Sequence, residues 1–162
     1  MRVILPGSYD PVTLGHLEII KKASETYDEV YAVVFINESK KYRFSLEDRV
    51  RMLTLATEQL DNVLVSYSLG RVVDYMREHG IEKIVKGYRN DKDLEWEKYQ
   101  AEYNMRHGGF ETELIRCDDK YAEVSSTLVR ERLLCADDAS ELLHPSVCEY
   151  IKSLKDDSSE EI

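Results

Sequence analysis

The stretch VYAVVFI, residues 30–36, constrains this chain more than any other, because it carries no charge and its only polar side-chain group is the Tyr31 hydroxyl. A strand with one face in water alternates apolar and polar residues, whereas a run apolar at nearly every position reads as a parallel strand covered on both faces. Parallel neighbours need crossovers, and the rest of the chain supplies them. RVIL reads as a first strand, and HLEIIKKASETY as a helix whose Leu17, Ile20, Ala23 and Tyr27 share a face. Ser45 with Asp48 three residues later is a capping-box pattern, opening a helix with Val50, Leu53 and Ala56 on one side. NVLVSY is a third strand, VVDYMREHG a helix closed by Gly80, and EKIVKGY a fourth strand. The spacing then predicts a helix from Asp93 to His107 ended by Gly108-Gly109, a fifth strand TELIR, a helix opening near Ser126, and a last one from Pro145. Val147, Ile151 and Leu154 lie on one face of that last helix. Five strands alternating with helices predict an α/β fold with an open five-stranded parallel sheet.

At 162 residues the chain reads as a single domain over 1–155, followed by an acidic, disordered tail over 156–162. Its composition, 43% hydrophobic and 33% charged, is that of a soluble globular protein. No apolar run approaches the roughly 20 residues of a membrane-spanning helix, and the first strand meets Pro6-Gly7 too soon to be a signal peptide. The expected location is the cytoplasm, without a membrane partner. Cys117, Cys135 and Cys148 are widely spaced and form no C-x-x-C pair, so they read as free thiols, neither disulfide framework nor zinc site. A formal net charge of -10 argues against nonspecific nucleic-acid binding, which needs clustered Lys and Arg. Any anionic ligand must be drawn in by local charge.

In open parallel sheets ligands bind beyond the carboxyl ends of the strands, where strand order reverses. The loops at that edge hold Lys40, Lys41, Arg43, Lys86 and Arg89, and the helix-opening stretches supply Ser8, Thr13, Ser125, Ser126 and Thr127. That is a phosphate-binding inventory. Helix N-termini present free N–H groups and partial positive charge to an anion. Gly7 and Gly15 would let the backbone come close to a phosphate, and His16, on a first turn, can aim a ring N–H at it. Lys40-Lys41 alone would be a solvated loop and Glu97 alone an exposed helix charge, while His79, His107 and His144 read as structural or surface residues.

GSYDPVTLGH resembles the T/H-x-G-H signature of the nucleotidyltransferase superfamily, and VSSTLVRE its second signature, usually I-S-S-T/S-x-V/I-R/K. Together with SKKYRF and KGYRNDKDLEWE, they make the chain similar to the phosphopantetheine adenylyltransferase family over nearly its whole length. The resemblance implies a Rossmann-like, doubly wound nucleotidyltransferase fold. It also implies transfer of adenylyl from ATP to 4'-phosphopantetheine with Mg2+, giving dephospho-coenzyme A and pyrophosphate, in a homohexamer. Residue by residue, it implies that His16 stabilises the transition state, assisted by Ser8 and Lys40. Ser8, Lys40, Val72 and Lys86 would touch the phosphopantetheine. Ser8, Tyr9, His16, Gly87, Tyr88, Arg89, Glu97 and the run Tyr121, Ala122, Glu123, Val124, Ser125, Ser126, Thr127 would touch ATP.

Two departures stand out. Lys86 occupies a position where the family usually has arginine, keeping the charge and losing the bidentate fork. Tyr121-Ala122-Glu123-Val124 replaces the usual aromatic-Ser-Phe-Ile lead into the serines. A related nucleotidyltransferase acting on a mononucleotide or a polyol phosphate therefore stays open at this stage. A receiver-like signalling module would need clustered carboxylates after the first strand, where this chain has Leu5-Pro6-Gly7 and a solitary Asp10.

Overall fold

The computed structural model describes residues 1–160, with side chains described as far as residue 155. Strands β1 (Arg2–Gly7), β2 (Glu29–Phe35), β3 (Val63–Ser68), β4 (Lys83–Tyr88) and β5 (Glu111–Arg116) alternate with helices α1 (Leu14–Thr26), α2 (Leu46–Thr57), α3 (Val72–His79) and α4 (Asp91–Gly108). Helices α5 (Ser126–Leu134) and α6 (Pro145–Glu160) follow the last strand. All pairings are parallel and the strand order is β3-β2-β1-β4-β5. This is the expected α/β, doubly wound arrangement. The chain moves outward from β1 to β3, then returns to the other side of β1 for β4 and β5.

Strand alternation sends side chains to both faces of the sheet. Val3, Leu5, Val30, Ala32, Val34 and Val85 pack with Leu17 and Ile20 of α1, Met52 and Leu53 of α2, and Val147 and Ile151 of α6. Ile4, Val33 and Ile84 point the other way, onto Tyr75 and Met76 of α3. Burial on both sides explains why residues 30–36 are apolar throughout. Helix α4 covers the second face more loosely and has no buried residue.

The strand ladder is uneven at the centre. β1 pairs with β2 from Arg2–Glu29 through Gly7–Val34, but with β4 only at Val3–Lys83 and Ile4–Ile84. β4 itself stays paired with β5 through Tyr88–Arg116. Beyond Ile4 and Ile84 the two middle strands part, and Pro6, which lacks an N–H, lies on the parted segment. A crevice therefore opens at the point where strand order reverses.

Several helix boundaries differ from the sequence reading. Helix α1 begins at Leu14 rather than His16, because Thr13 caps it by accepting the His16 N–H, and it ends at Thr26 with Tyr27 as its C-cap. Helix α4 begins at Asp91, where Asn90 accepts the Asp93 N–H. Ser45 does cap α2 by accepting the Asp48 N–H, but the Asp48 carboxylate accepts from the Tyr150 hydroxyl at 2.7 Å. The reciprocal capping box stands instead at Thr13 and His16. The tail expected over 156–162 lies outside the described side chains, and its last two residues lie outside the described chain. Among the described residues no helix is long and apolar enough to cross a membrane.

Gly87 fixes how closely α1 lies on β4. A Cβ there would stand 2.6 Å from Cγ1 of Ile19, a buried, β-branched residue with little rotamer freedom. Gly87→Ala is expected to cost about 1–3 kcal/mol by overpacking, more than the few tenths to one gained from a stiffer unfolded chain. Urea unfolding should show a lower midpoint at unchanged slope, and a wild-type midpoint would mean that α1 lifts freely.

Candidate active site

Two adjoining cavities occupy the crevice. The first, of about 340 Å³, runs from the end of β1 and the start of α1 across β4 to the start of α5. The second, of about 260 Å³, lies toward the end of β2 and the inner side of α4. Pro6, Gly7, Ser8, Lys86 and Glu97 line both and form the boundary between them.

The first cavity brings together residues 120 positions apart. Ser8, Tyr9, Thr13, Gly15 and His16 face Lys86, Gly87, Arg89 and Glu97, with Val124, Ser125, Ser126 and Thr127 closing the far side. Two helix N-termini, those of α1 and α5, open onto one space. Each leaves backbone N–H groups and partial positive charge for an anion. Ser125 caps α5 by accepting the Leu128 N–H at 3.1 Å, and the Ser126 hydroxyl donates to the Pro11 carbonyl at 2.7 Å. The protein's own packing does not require glycine at position 15. An added Cβ would meet only ordinary contacts, 3.5 Å from Thr13 Oγ1 and 3.6 Å from the Val124 carbonyl, so the space it leaves belongs to the cavity.

His16 is held in one tautomer. Its Nδ1 accepts the Thr13 backbone N–H at 3.0 Å, so the ring proton sits on Nε2 and is free to be donated. Desolvation, with the charges of Lys86 and then Arg89, lowers its pKa from 6.5 to about 4. The imidazole is therefore a neutral donor at pH 7. Tyr9 supports it edge-on, with ring centroids 5.1 Å apart. Tyr9 adopts a φ of 46°, a left-handed conformation uncommon for a bulky residue, and its hydroxyl donates to the Leu5 carbonyl at 2.8 Å.

Lys86 Nζ stands 3.6 Å from Glu97 Oε1 across the shared wall. Glu97 is not the exposed helix charge that its sequence context suggests, since its side chain is only 14% exposed. Burial raises its pKa, and Lys86 opposes that shift. Arg89 is turned toward Asp93, with Nε 3.1 Å from Oδ2. The second cavity gathers Ser8, Lys40, Val72 and Lys86, the four positions expected for an acceptor, together with Asn37, Gln100, Asn104 and Thr112. Glu97 Oε2 and Thr112 Oγ1 are buried without a protein partner, leaving polar atoms for a ligand to satisfy.

Four expected residues stay off both cavity walls. Tyr88 ends β4, where its carbonyl accepts the Cys117 N–H, and Tyr121 closes a 3-10 turn over Asp119–Tyr121 and packs on the main core, with Ala122 as the turn's C-cap and Glu123 following it. Of the two loop lysines only Lys40 reaches a cavity wall, and Lys41 lies away from both linings. Sequence reasoning missed Asp93, which sits inside the KGYRNDKDLEWE stretch without a role assigned to it, and Asn104, Thr112 and Cys117, which carry no motif and reach the cavities only through the packing of α4 and of β5 with the residue that follows it. It also missed Asp10 and Arg49, buried charges beside the walls. Asp10 lay within the first signature and stood out only as a solitary carboxylate, and Arg49 carried no sequence signal at all.

Residues 4–132 match the cytidylyltransferase-like family. The phosphopantetheine adenylyltransferase of Streptomyces coelicolor (strain ATCC BAA-471 / A3(2) / M145) is 40% identical over 150 residues, which cover 93% of this chain and 94% of that protein.

A histidine kept neutral by burial makes the fold sensitive to acid. Because the unfolded ring binds a proton near pH 6.5 and the folded ring only near pH 4, stability falls as pH drops through that window. Between pH 7 and pH 4.5 the wild type is expected to lose about 2–3 kcal/mol more than His16→Asn, which has no proton to gain. Urea titrations of both proteins at the two pH values isolate the difference, and parallel losses would show that His16 protonates without penalty.

Proposed function

The chain belongs to the cytidylyltransferase-like family and is a nucleotidyltransferase, and we propose that it transfers adenylyl from ATP to 4'-phosphopantetheine, giving dephospho-coenzyme A and pyrophosphate. One observation carries this reading. The two cavities share the wall formed by Ser8, Lys86 and Glu97, so a nucleotide in one and a phosphorylated acceptor in the other would bring their phosphates together at Ser8 and Lys86.

The reaction is a displacement at the α-phosphorus. An acceptor phosphate oxygen forms the new P–O bond, the bond to the β-phosphate breaks, and pyrophosphate leaves with that electron pair. The attacking phosphate is already an anion at neutral pH, so the site needs no general base. Positioning and charge neutralisation carry such a step. Nε2–H of His16 is the donor for charge gathering on the transferred group, and Lys40, Lys86, Arg89 and the N-termini of α1 and α5 hold the phosphates. Mg2+ would arrive on the nucleotide and help neutralise its phosphates. The cavity carboxylates are already engaged, Asp93 with Arg89 and Glu97 with Lys86. Among the described residues no three Asp, Glu, His or Cys gather to hold a cation.

The same reading includes a homohexamer in the cytoplasm. Trp96, Tyr99 and Tyr103, all at least half exposed on α4, support self-association, and three free cysteines suit a reducing compartment. Light scattering measures the mass.

Pyrophosphate release with ATP or CTP, across 4'-phosphopantetheine, a nicotinamide mononucleotide and a polyol phosphate, tests the assignment. The expected pair is ATP with 4'-phosphopantetheine, and preference for another acceptor would overturn it. His16→Ala is expected to lower kcat by about 10²–10³, the loss seen when one transition-state donor is removed, with a much smaller change in ATP affinity. Lys86→Ala should lose about 1.5–3 kcal/mol, mostly as a raised KM for the acceptor, and Lys86→Arg should preserve or improve acceptor use. Steady-state kinetics with each substrate varied separates these effects. A Lys86→Ala enzyme with an unchanged acceptor KM would move the acceptor phosphate off Lys86.

A further inference from the structure

Arg49, on the first turn of α2, is 2% exposed and lines neither cavity. Burying a guanidinium costs free energy, and a chain needing only filler at this site would use Leu or Met. What the side chain does is bridge two loops. Nη1 donates to the Ser8 carbonyl at 3.1 Å, and the guanidinium carbon lies 3.9 Å from the centre of the Tyr42 ring. The Tyr42 hydroxyl in turn accepts the Asn37 N–H at 2.8 Å, at the start of the loop that carries Lys40. Nε is left without a partner, so the bridge itself accounts for the contacts that this charge makes.

A second buried charge runs the opposite way. Asp10, beyond Ser8 on the first loop, accepts the N–H groups of Arg43 and Phe44 on the far side of Lys40, at 2.9 and 3.0 Å. Arg130 of α5 donates to the Asp10 carbonyl at 2.9 Å and to the Thr127 hydroxyl at 3.1 Å, tying the third loop to the same point. The Lys40 loop is thus pinned at Asn37–Tyr42 through Arg49 and at residues 43–44 through Asp10. Ser8 is pinned to the same helix that follows the loop.

We propose that Arg49 is a positioning residue that fastens the Lys40 loop to the Ser8 loop through the Ser8 carbonyl and the Tyr42 ring, and thereby sets the distance between the two groups that receive the acceptor. Its kinetic consequence rests on the acceptor reading above; the fastening does not. Lysine at 49 keeps the charge and loses the planar face that stacks on Tyr42. Tyr42→Phe keeps the ring and removes the hydroxyl, whereas Tyr42→Leu removes the stack.

The test has an arm independent of turnover. Lys40 and Lys41 are exposed, and trypsin must draw an extended stretch of chain into its cleft, so cleavage after them should quicken when the loop leaves its fastened position. Under native conditions Arg49→Met is expected to be cut there about 10–100-fold faster than wild type, the factor of losing one hydrogen bond to a charged group, and Tyr42→Leu about 2–30-fold faster, the factor of losing a cation–π stack. They should also be cut faster than Ile81→Ala, a core truncation at the opposite edge of the sheet that destabilises without touching either loop. Cleavage of Arg49→Met at or below the rate of Ile81→Ala overturns the proposal. In the kinetic arm, Arg49→Met should raise the KM for 4'-phosphopantetheine at least about tenfold with the KM for ATP within about threefold, and Arg49→Lys should fall between it and wild type. Both constants moving together, as a general loosening would move them, overturns the positioning role. Wild-type turnover of 4'-phosphopantetheine in the same assay reports separately on the acceptor reading.

Discussion

Everything in the site depends on two strands that stop pairing. β1 and β4 hold each other for two residues, at Val3–Lys83 and Ile4–Ile84, and then separate while their outer neighbours stay in register. Strand order reverses between them, so the loops leaving β1 and β4 turn to opposite faces and leave a gap between the strands. Both cavities lie in that gap or against it. The close seating of α1 on β4, which only glycine at 87 allows, brings Thr13 and His16 to its edge.

The electrostatics follow from this seating rather than from overall composition. A chain of net charge -10 would repel a polyphosphate at long range. At the crevice the sign is reversed by Lys86, Arg89, Lys40 and two helix N-termini, while burial keeps His16 uncharged. A neutral donor suits a site already rich in cations, because a protonated imidazole would compete with Lys86 and Arg89 for the same anion. Thr13 completes the arrangement by occupying Nδ1.

Much of this was legible in the sequence, and the reason is periodicity and punctuation. The apolar run at residues 30–36 could belong only to a strand covered on both faces, and Gly80 and Gly109 do close their helices in left-handed conformations. The edge loops gave the cationic inventory, and four acceptor positions named from the resemblance line one cavity. What stayed hidden was set by tertiary packing. Glu97 looks like any other charge on an acidic helix until α4 lies against Lys86. Thr112 and Asn104 are unremarkable in sequence and matter only because β5 and α4 wall the second cavity. Asp10 and Arg49 were invisible because a charge in a sequence carries no sign of its burial.

The parting of β1 and β4 also governs the order in which the molecule can come together. β1 is central, yet its second neighbour is about 80 residues further along the chain, so during synthesis one edge of β1 stays unpaired until β4 has emerged. The residues on that waiting edge, Val3 and Ile4, are fully buried in the finished sheet. Until then they are an open apolar template of the kind that invites wrong pairing. The first cavity waits longer still, for residues Val124 to Thr127 at the start of α5 and for the bond from Ser126 to Pro11 across 115 residues. A growing chain thus holds half a sheet and no site, and gains the whole site late, when its ends meet.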